Sequence, residues 1–160
     1  MGLEPIAVDF VARRFPCATD VVFAGSAARG EETPSSDIDL LIFGPDEMFT
    51  DGSLAATYLD GGRLFEVFAY TEESFDAWVA RGVEHTRPVI LDMLFAGIDL
   101  AVPGLIASGA AERRRVRWRE TYDRGPVVDQ HTLDLRRYAV TGWLDDTADA
   151  VEEAQRKMDE

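Results

Sequence analysis

The apolar residues in the N-terminal half of the chain fall into short runs separated by glycine, proline and aspartate. Three of these runs, over residues 20–24, 37–43 and 63–70, are rich in β-branched or aromatic side chains and predict buried β-strands. The second run ends at a Gly-Pro pair, and the third follows an Asp-Gly-Gly turn. The pattern therefore predicts three strands of one sheet within the first 70 residues.

Longer segments, in which apolar residues recur at helical spacing, predict helices on both sides of these strands. Thr71 can cap the helix that follows the last strand, with Ser74 as a competing cap. Residues 46–59 indicate only a weak helix or a loop. The predicted helices cover residues 3–15, 72–80, 89–100, 103–124 and 131–158.

Strands come first and helices afterwards, which predicts an α+β fold with a core over residues 1–87 and a helical region over residues 88–160. The last predicted helix carries an apolar stripe and runs to the final residue without a stop signal. Two explanations stand: the chain is truncated, or the stripe packs against a second copy or a partner protein.

The charge of the chain narrows the choice of ligands. Its 160 residues carry a formal net charge of −14, which repels a phosphate backbone and argues against a polynucleotide substrate. The same charge favours a small cationic molecule, or it serves solubility alone.

No apolar stretch reaches the roughly 18–20 residues of a membrane span. Cys17 is the only cysteine, which excludes an internal disulfide and a cysteine-based metal site and predicts a cytoplasmic protein.

Two aspartates begin the second predicted strand. Asp37 and Asp39 are two residues apart, so their side chains point to the same face of a strand, roughly 6–7 Å apart. Half-buried carboxylates at that spacing are costly, and a divalent cation such as Mg²⁺ removes the cost. The alternative is that one aspartate caps a turn and the other is exposed.

A Gly-Ser pair follows the first predicted strand. Gly25 lets backbone amides approach a phosphate closely, and the hydroxyl of Ser26 adds a donor. Residues 27–30 can begin a short helix whose N-terminus faces the same phosphate. Arg29 is a candidate phosphate ligand, although it could equally brace the loop through Glu31 or a neighbouring acid.

The run from Gly25-Ser26 to Asp37-Ile38-Asp39 resembles the signature of the DNA polymerase β-like nucleotidyltransferase superfamily, and its flanking residues resemble those of small bacterial members. The resemblance implies a small mixed β-sheet core, a nucleoside triphosphate as substrate, Ser26 on the terminal phosphates, and two Mg²⁺ ions on Asp37 and Asp39. It also implies a third carboxylate on a later strand, which Glu66 matches. Glu66 would then ligate metal, accept the hydroxyl proton, or both; the alternative is a solvent-facing strand residue.

The residues after Glu66 are similar, with less force, to those of proteins related to aminoglycoside nucleotidyltransferases. We therefore expect a metal-dependent enzyme that moves AMP from ATP to a hydroxyl of a small molecule. Two alternatives are an antitoxin-like adenylyltransferase that modifies a partner protein and a catalytically idle nucleotide-binding domain.

Two features of the helical region allow more than one interpretation. The basic run over residues 113–119 predicts a solvated helix face that pairs with acidic neighbours, or else a contact to phosphates or to a partner. If Glu66 only binds metal, a general base could come from Asp134, Asp145 or Asp146.

Overall fold

The computed structural model describes residues 2–31, 36–84, 89–125 and 138–141. The last of these ranges is helical. The other elements are, in chain order, α1 (Glu4–Arg14), β1 (Asp20–Ala24), α2 (Gly25–Ala28), β2 (Ile38–Phe43), a 3-10 turn (Asp46–Met48), β3 (Ser53–Asp60), β4 (Arg63–Tyr70), α3 (Glu72–Glu84), α4 (Val89–Ala96), β5 (Ile98–Asp99) and α5 (Ala110–Arg124).

The strands predicted from apolar runs are confirmed. β1 and β4 have the predicted bounds, and β2 begins at Ile38, one residue later than predicted. Thr71 caps α3, because its Oγ1 accepts a hydrogen bond from the backbone N–H of Ser74 at 3.1 Å. The hydroxyl of Ser74 instead donates to the carbonyl oxygen of Gly52, which ties the helix to the loop before β3.

The five strands form one mixed sheet in the order β3-β4-β2-β1-β5, so the predicted α+β fold is confirmed. β2 and β4 run parallel, and every other neighbouring pair is antiparallel. The C-terminal end of β1 therefore lies beside the start of β2. Next to the start of β2 lies the first half of β4. This corner of the sheet is where the predicted site residues lie.

Each face of the sheet has its own apolar core. On one face, Ile38, Leu40 and Ile42 of β2 pack towards α1, whose Phe10 stacks on Phe65 of β4 with ring centroids 3.9 Å apart. The other face belongs to a second core, which includes β2 residues Leu41 and Phe43 and residues of α3, α4 and α5; the helical members include Phe75, Val79, Leu91, Leu94, Ala110 and Ala111. Since side chains alternate along a strand, Asp39 shares the second face.

Residues 46–59 were predicted as a weak helix or a loop, which is wrong for the second half of the segment. A single 3-10 turn ends at Met48, and β3 begins at Ser53. β3 pairs with β4 through a two-residue hairpin in which Gly61 and Gly62 both have positive φ angles, as a tight hairpin turn requires. β3 is an edge strand, so its residues alternate between partly buried and exposed positions instead of forming a buried run.

Two predicted helices extend too far. The helix predicted over residues 89–100 ends at Ala96, and the next residues form the short strand β5 beside β1. Gly97 permits this change of direction, since a Cβ there would lie 2.4 Å from Val22 Cγ1. The helix predicted over residues 103–124 begins only at Ala110. The helix predicted over residues 131–158 lies outside the described residues, apart from residues 138–141.

The basic run on α5 is confirmed as a face that pairs with acidic neighbours. Arg114 makes ion pairs with Glu72 and Asp76 of α3, and the indole Nε1 of Trp118 donates to Asp76 Oδ1 at 2.7 Å. Arg115 pairs with Asp99 of β5. The side chains of Arg114 and Arg115 are each only 14% exposed, so this face is less solvated than predicted. The ion pairs hold α5 against α3 and the sheet edge.

The chain divides into two compact units, Met1–Pro126 and Val127–Glu160. The first contains the whole sheet together with α1 to α5. The functional division predicted between residues 87 and 88 stays a prediction. No helix within the described ranges is long and apolar enough to cross a bilayer.

Candidate active site

The predicted site residues lie at the corner where β1 ends and β2 begins. The strand register places Ala24 of β1 opposite Asp39 of β2, and Asp39 opposite Glu66 of β4. Asp39 and Glu66 therefore occupy adjacent positions on one face of the sheet, as the pairing of parallel neighbours requires. Asp37 lies just before β2 and is partly buried.

Gly25 begins α2 directly after β1, two residues before the predicted start of that helix. Its φ angle is +73°, and a Cβ at this position would lie 1.8 Å from Oδ2 of Asp39. Glycine is therefore required both by the backbone conformation and by the close approach of the Asp39 carboxylate. The carbonyl oxygen of Ser26 accepts the N–H groups of Arg29 and Glu31 at 3.1 Å and 3.0 Å, which closes the turn.

The surroundings of the Asp39 carboxyl disfavour its charged form. Burial raises its pKa above the ordinary value, and the negative charges of Glu66 and Asp37 raise it further. Arg29 acts in the opposite direction and does not cancel these effects. The corner of the sheet thus holds concentrated negative charge that a bound cation would relieve.

Arg29 braces the loop, and its role as a phosphate ligand stays a prediction. Its Nε donates to Oε2 of Glu31 at 2.9 Å, so it braces the loop, although both side chains are mostly exposed and the pair contributes little stability. The same guanidinium lies along the cavity in front of Asp39. An exposed arginine with one weak partner is free to turn towards a phosphate.

The carboxylates open into a cavity of about 260 Å³ between the sheet and α4, which we call the Asp39 cavity. Among the predicted site residues, Gly25, Arg29, Asp39 and Glu66 line it, whereas Ser26 and Asp37 do not. The remaining lining residues are Ala24, Phe68, Val89, Asp92, Met93, Ala96 and Gly97.

The carboxylates fit part of a cation site. Over the described ranges, no three side chains of Asp, Glu, His or Cys converge closely enough to hold a metal ion by themselves. Asp39 and Glu66 are the adjacent pair, and Asp37 reaches Asp39 through its charge. Mg²⁺ commonly takes one or two carboxylates from the protein and its other oxygens from phosphates and water. The pair therefore suits a divalent cation that arrives together with a triphosphate.

A comparison with protein families identifies the family to which the chain belongs. The model of the nucleotidyltransferase domain matches residues 5–87, more than half of the chain. The chain belongs to the nucleotidyltransferase domain family. Its resemblance to the DNA polymerase β-like superfamily is thereby confirmed, and the protein is a transferase of nucleotidyl groups that takes a nucleotide as substrate. No curated protein gives a significant match to the chain.

The Asp39 cavity contains a carboxylate that the sequence analysis did not single out. Asp92 projects from α4 into the Asp39 cavity, opposite the sheet. Burial raises its pKa, and it has no hydrogen bond or ion pair with any other residue in the described part of the chain. The available signal was its position, because it is the only charged residue in the apolar helix over residues 89–96.

The alternative general bases named from the helical region cannot be compared with Glu66. Asp134, Asp145 and Asp146 all lie outside the described residues. Among the residues that line the Asp39 cavity, Glu66 and Asp92 are therefore the two acids that accompany Asp39.

Proposed function

We propose that this nucleotidyltransferase moves AMP from ATP to a hydroxyl group of a small, cationic acceptor. The observation that carries the proposal is the close approach of Gly25, directly after β1, to the Asp39 carboxylate of β2, with Glu66 at the neighbouring position of β4 and the pKa of Asp39 raised by burial and by its acidic neighbours. Such a site favours positive charge. It also lies beside a glycine turn whose backbone a phosphate can approach.

The reaction is an in-line displacement at the α-phosphorus. The acceptor oxygen forms a bond to phosphorus, the bond to the bridging oxygen breaks, and pyrophosphate leaves. Ser26 and Arg29 bind the terminal phosphates, and Glu66 accepts the proton of the acceptor hydroxyl. Mg²⁺ held by Asp39 and Glu66, with Asp37 as the further ligand of a second ion, would supply the positive charge that the triphosphate needs.

Two observations support a cationic acceptor. The chain carries a formal net charge of −14, which raises the local concentration of small cations. Asp92 lies in the Asp39 cavity and makes no ion pair with any described residue, so an ammonium group could pair with it. A cytoplasmic location accompanies this proposal, since ATP and Mg²⁺ are available there.

The test is incubation with α-labelled ATP and Mg²⁺ in a mixture of hydroxylated amines. Label is expected on a small molecule with the wild-type protein and is expected to be lost with Asp39→Asn. Asp46→Asn is the matched control, because it removes the same charge from an exposed position at the opposite end of β2. Transfer by Asp39→Asn at the wild-type rate would contradict the proposal.

The same experiment separates the alternatives. Label on a co-purifying protein would favour the antitoxin-like adenylyltransferase. Binding of ATP without any transfer would favour an idle domain. The two-ion prediction is checked separately, because the rate should rise through two phases of Mg²⁺ concentration in the wild type.

A further inference from the structure

A second cavity lies beside the Asp39 cavity on the same face of the sheet. It has a volume of about 390 Å³ and is bounded by strands β3 and β4 and helices α3 and α4. Phe68, Tyr70 and Trp78 form its aromatic walls, and Arg81 also lines it. We call it the Trp78 cavity. Its volume lies within the range of about 300–1,000 Å³ that is usual for small-molecule sites.

Trp78 is not among the fully buried residues that anchor α3. That helix is anchored by Phe75 and Val79, which are fully buried, whereas Trp78 is 45% exposed. The Trp78 ring meets Tyr70 edge-on at 6.4 Å, and the guanidinium of Arg81 lies over it at 4.2 Å from the ring centroid. An indole held in this way offers a rigid, partly open surface to a planar group.

The two cavities are neighbours. Phe68 and Val89 line both of them. Phe68 lies two residues after Glu66 on β4, on the same face and therefore roughly 6–7 Å along the strand. A molecule in the Trp78 cavity can thus extend a hydroxyl group to Glu66.

The order of the strands decides which substrate this neighbouring cavity suits. Gly25 follows β1, which is separated from β4 by β2. The turn at Gly25 and Phe68 are therefore roughly 10 Å apart across the sheet. In an in-line displacement, the entering and leaving oxygens lie on opposite sides of phosphorus. With pyrophosphate leaving on the side of Gly25, the hydroxyl enters from the side of β4.

We propose that the Trp78 cavity holds a planar ring of the acceptor while the acceptor's hydroxyl reaches Glu66; this assignment rests on the function proposed above. The acceptor class is therefore a small molecule in which a hydroxyl lies within one ring's length of an apolar or aromatic ring. The ring packs against Trp78 beside the guanidinium of Arg81.

The probe for this proposal is 4-fluorobenzyl alcohol, whose binding is followed by fluorine NMR line broadening. We expect binding to the wild-type protein, weakening by about 10-fold in Trp78→Ala, and largely restored binding in Trp78→Phe, which keeps a ring. Ile106→Ala is the control, because it removes an apolar side chain that is 86% exposed and belongs to neither cavity. Unchanged binding in Trp78→Ala, or no binding to the wild type, would overturn the assignment.

Competition with Mg·ATP identifies the occupant. An acceptor site remains open when the nucleotide is bound, so saturating Mg·ATP should leave the probe in place. Displacement by Mg·ATP would overturn the proposal and make the cavity a nucleobase site. A dimer that dissociates in Trp78→Ala, measured by light scattering, would overturn it in favour of a second copy of the chain.

Failure of this proposal is distinguishable from failure of the proposed function. Asp39 does not line the Trp78 cavity, so Asp39→Asn should bind the probe like the wild type while it loses transfer. Probe and Mg·ATP bound together without any transfer in the wild type would contradict the function and leave the ring site intact. Transfer to a non-aromatic polyol at the same rate in Trp78→Ala and wild type would contradict the ring site alone.

Discussion

Replacement of Gly25 by alanine tests whether the position of the Asp39 carboxylate controls activity. The added Cβ would lie 1.8 Å from Oδ2 and 2.8 Å from Cγ of Asp39. Because contacts below 3.0 Å are essentially never observed for real Cβ atoms, Oδ2 must retreat by at least about 1.2 Å, the difference between 1.8 Å and 3.0 Å. A displacement of about 1 Å at a reacting centre can lower the rate by about 100-fold.

Gly30→Ala is the matched control for this experiment. Gly30 lies five residues further along and has a φ angle of +69°, close to the +73° of Gly25. An alanine at either position has a left-handed backbone, which costs about 1–2 kcal/mol. Among the residues that the structure describes, a Cβ on Gly30 would meet nothing within 4 Å. The two variants therefore share the backbone strain and differ in the contact with Asp39.

The assay measures transfer from α-labelled ATP together with urea denaturation of both variants. We expect each to lose about 1–2 kcal/mol of unfolding free energy, with a somewhat larger loss for Gly25→Ala, and only Gly25→Ala to lose about 100-fold in kcat/KM. If both variants kept similar activity, the close approach of Gly25 to Asp39 would not matter for catalysis. If both lost it equally, the cause would be the conformation of the loop.

Two further predictions concern stability. The folded protein raises the pKa of Asp39, so ionisation at neutral pH opposes folding. Without divalent cations, Asp39→Asn should therefore raise Tm at pH 7 by about 2–4 °C for each kcal/mol relieved. Calorimetry should show this gain shrinking as the pH falls through the raised folded pKa and vanishing below the ordinary value of about 4. Burial pushes the pKa of Asp20 upward, but hydrogen bonds, led by that from Ser108 Oγ at 2.6 Å, outweigh it and hold that pKa below its ordinary value. The resulting stability is present above pH 4 and lost as the pH falls through the folded pKa, so Ser108→Ala should cost about 1 kcal/mol in urea denaturation at pH 7 and much less near pH 2; equal losses at both pH values would refute this.

Much of the sheet could be predicted because its central strands are buried on both faces. β1 and β4 are short apolar runs between turn residues, and their bounds follow from that pattern alone. β3 could not be found in this way. It is an edge strand, and its residues alternate between partly buried and exposed positions. Its strand conformation depends on pairing with β4, which local propensity does not report.

The helical part shows the opposite error. Apolar residues continue past Ala96, so the periodic pattern extends the predicted α4 into β5. The helix ends because α4 meets β1, where Gly97 alone is small enough to fit against Val22. That contact joins residues about 75 positions apart in the chain, which no local pattern contains. The predicted ion pairing of α5 succeeded because a dense run of arginines in an acidic chain finds carboxylates in most arrangements.

The sequence by itself determined the family of this protein. The spacing from Gly25-Ser26 to Asp37 and Asp39 is local, so it identifies the nucleotidyltransferase family and predicts carboxylates at the start of β2. The alternation along β4 likewise puts Glu66 on a single face. Spacing and alternation can be read from the sequence alone, because they depend only on positions along the chain.

Only the tertiary structure decided which groups meet. The parallel register of β2 with β4 places Glu66 beside Asp39, and the packing of α4 on the sheet brings Asp92 to the same cavity. The strand order separates the turn at Gly25, after β1, from the β4 residues that line the Trp78 cavity. These relations depend on pairings between segments that are distant in sequence, and they raise the pKa of Asp39.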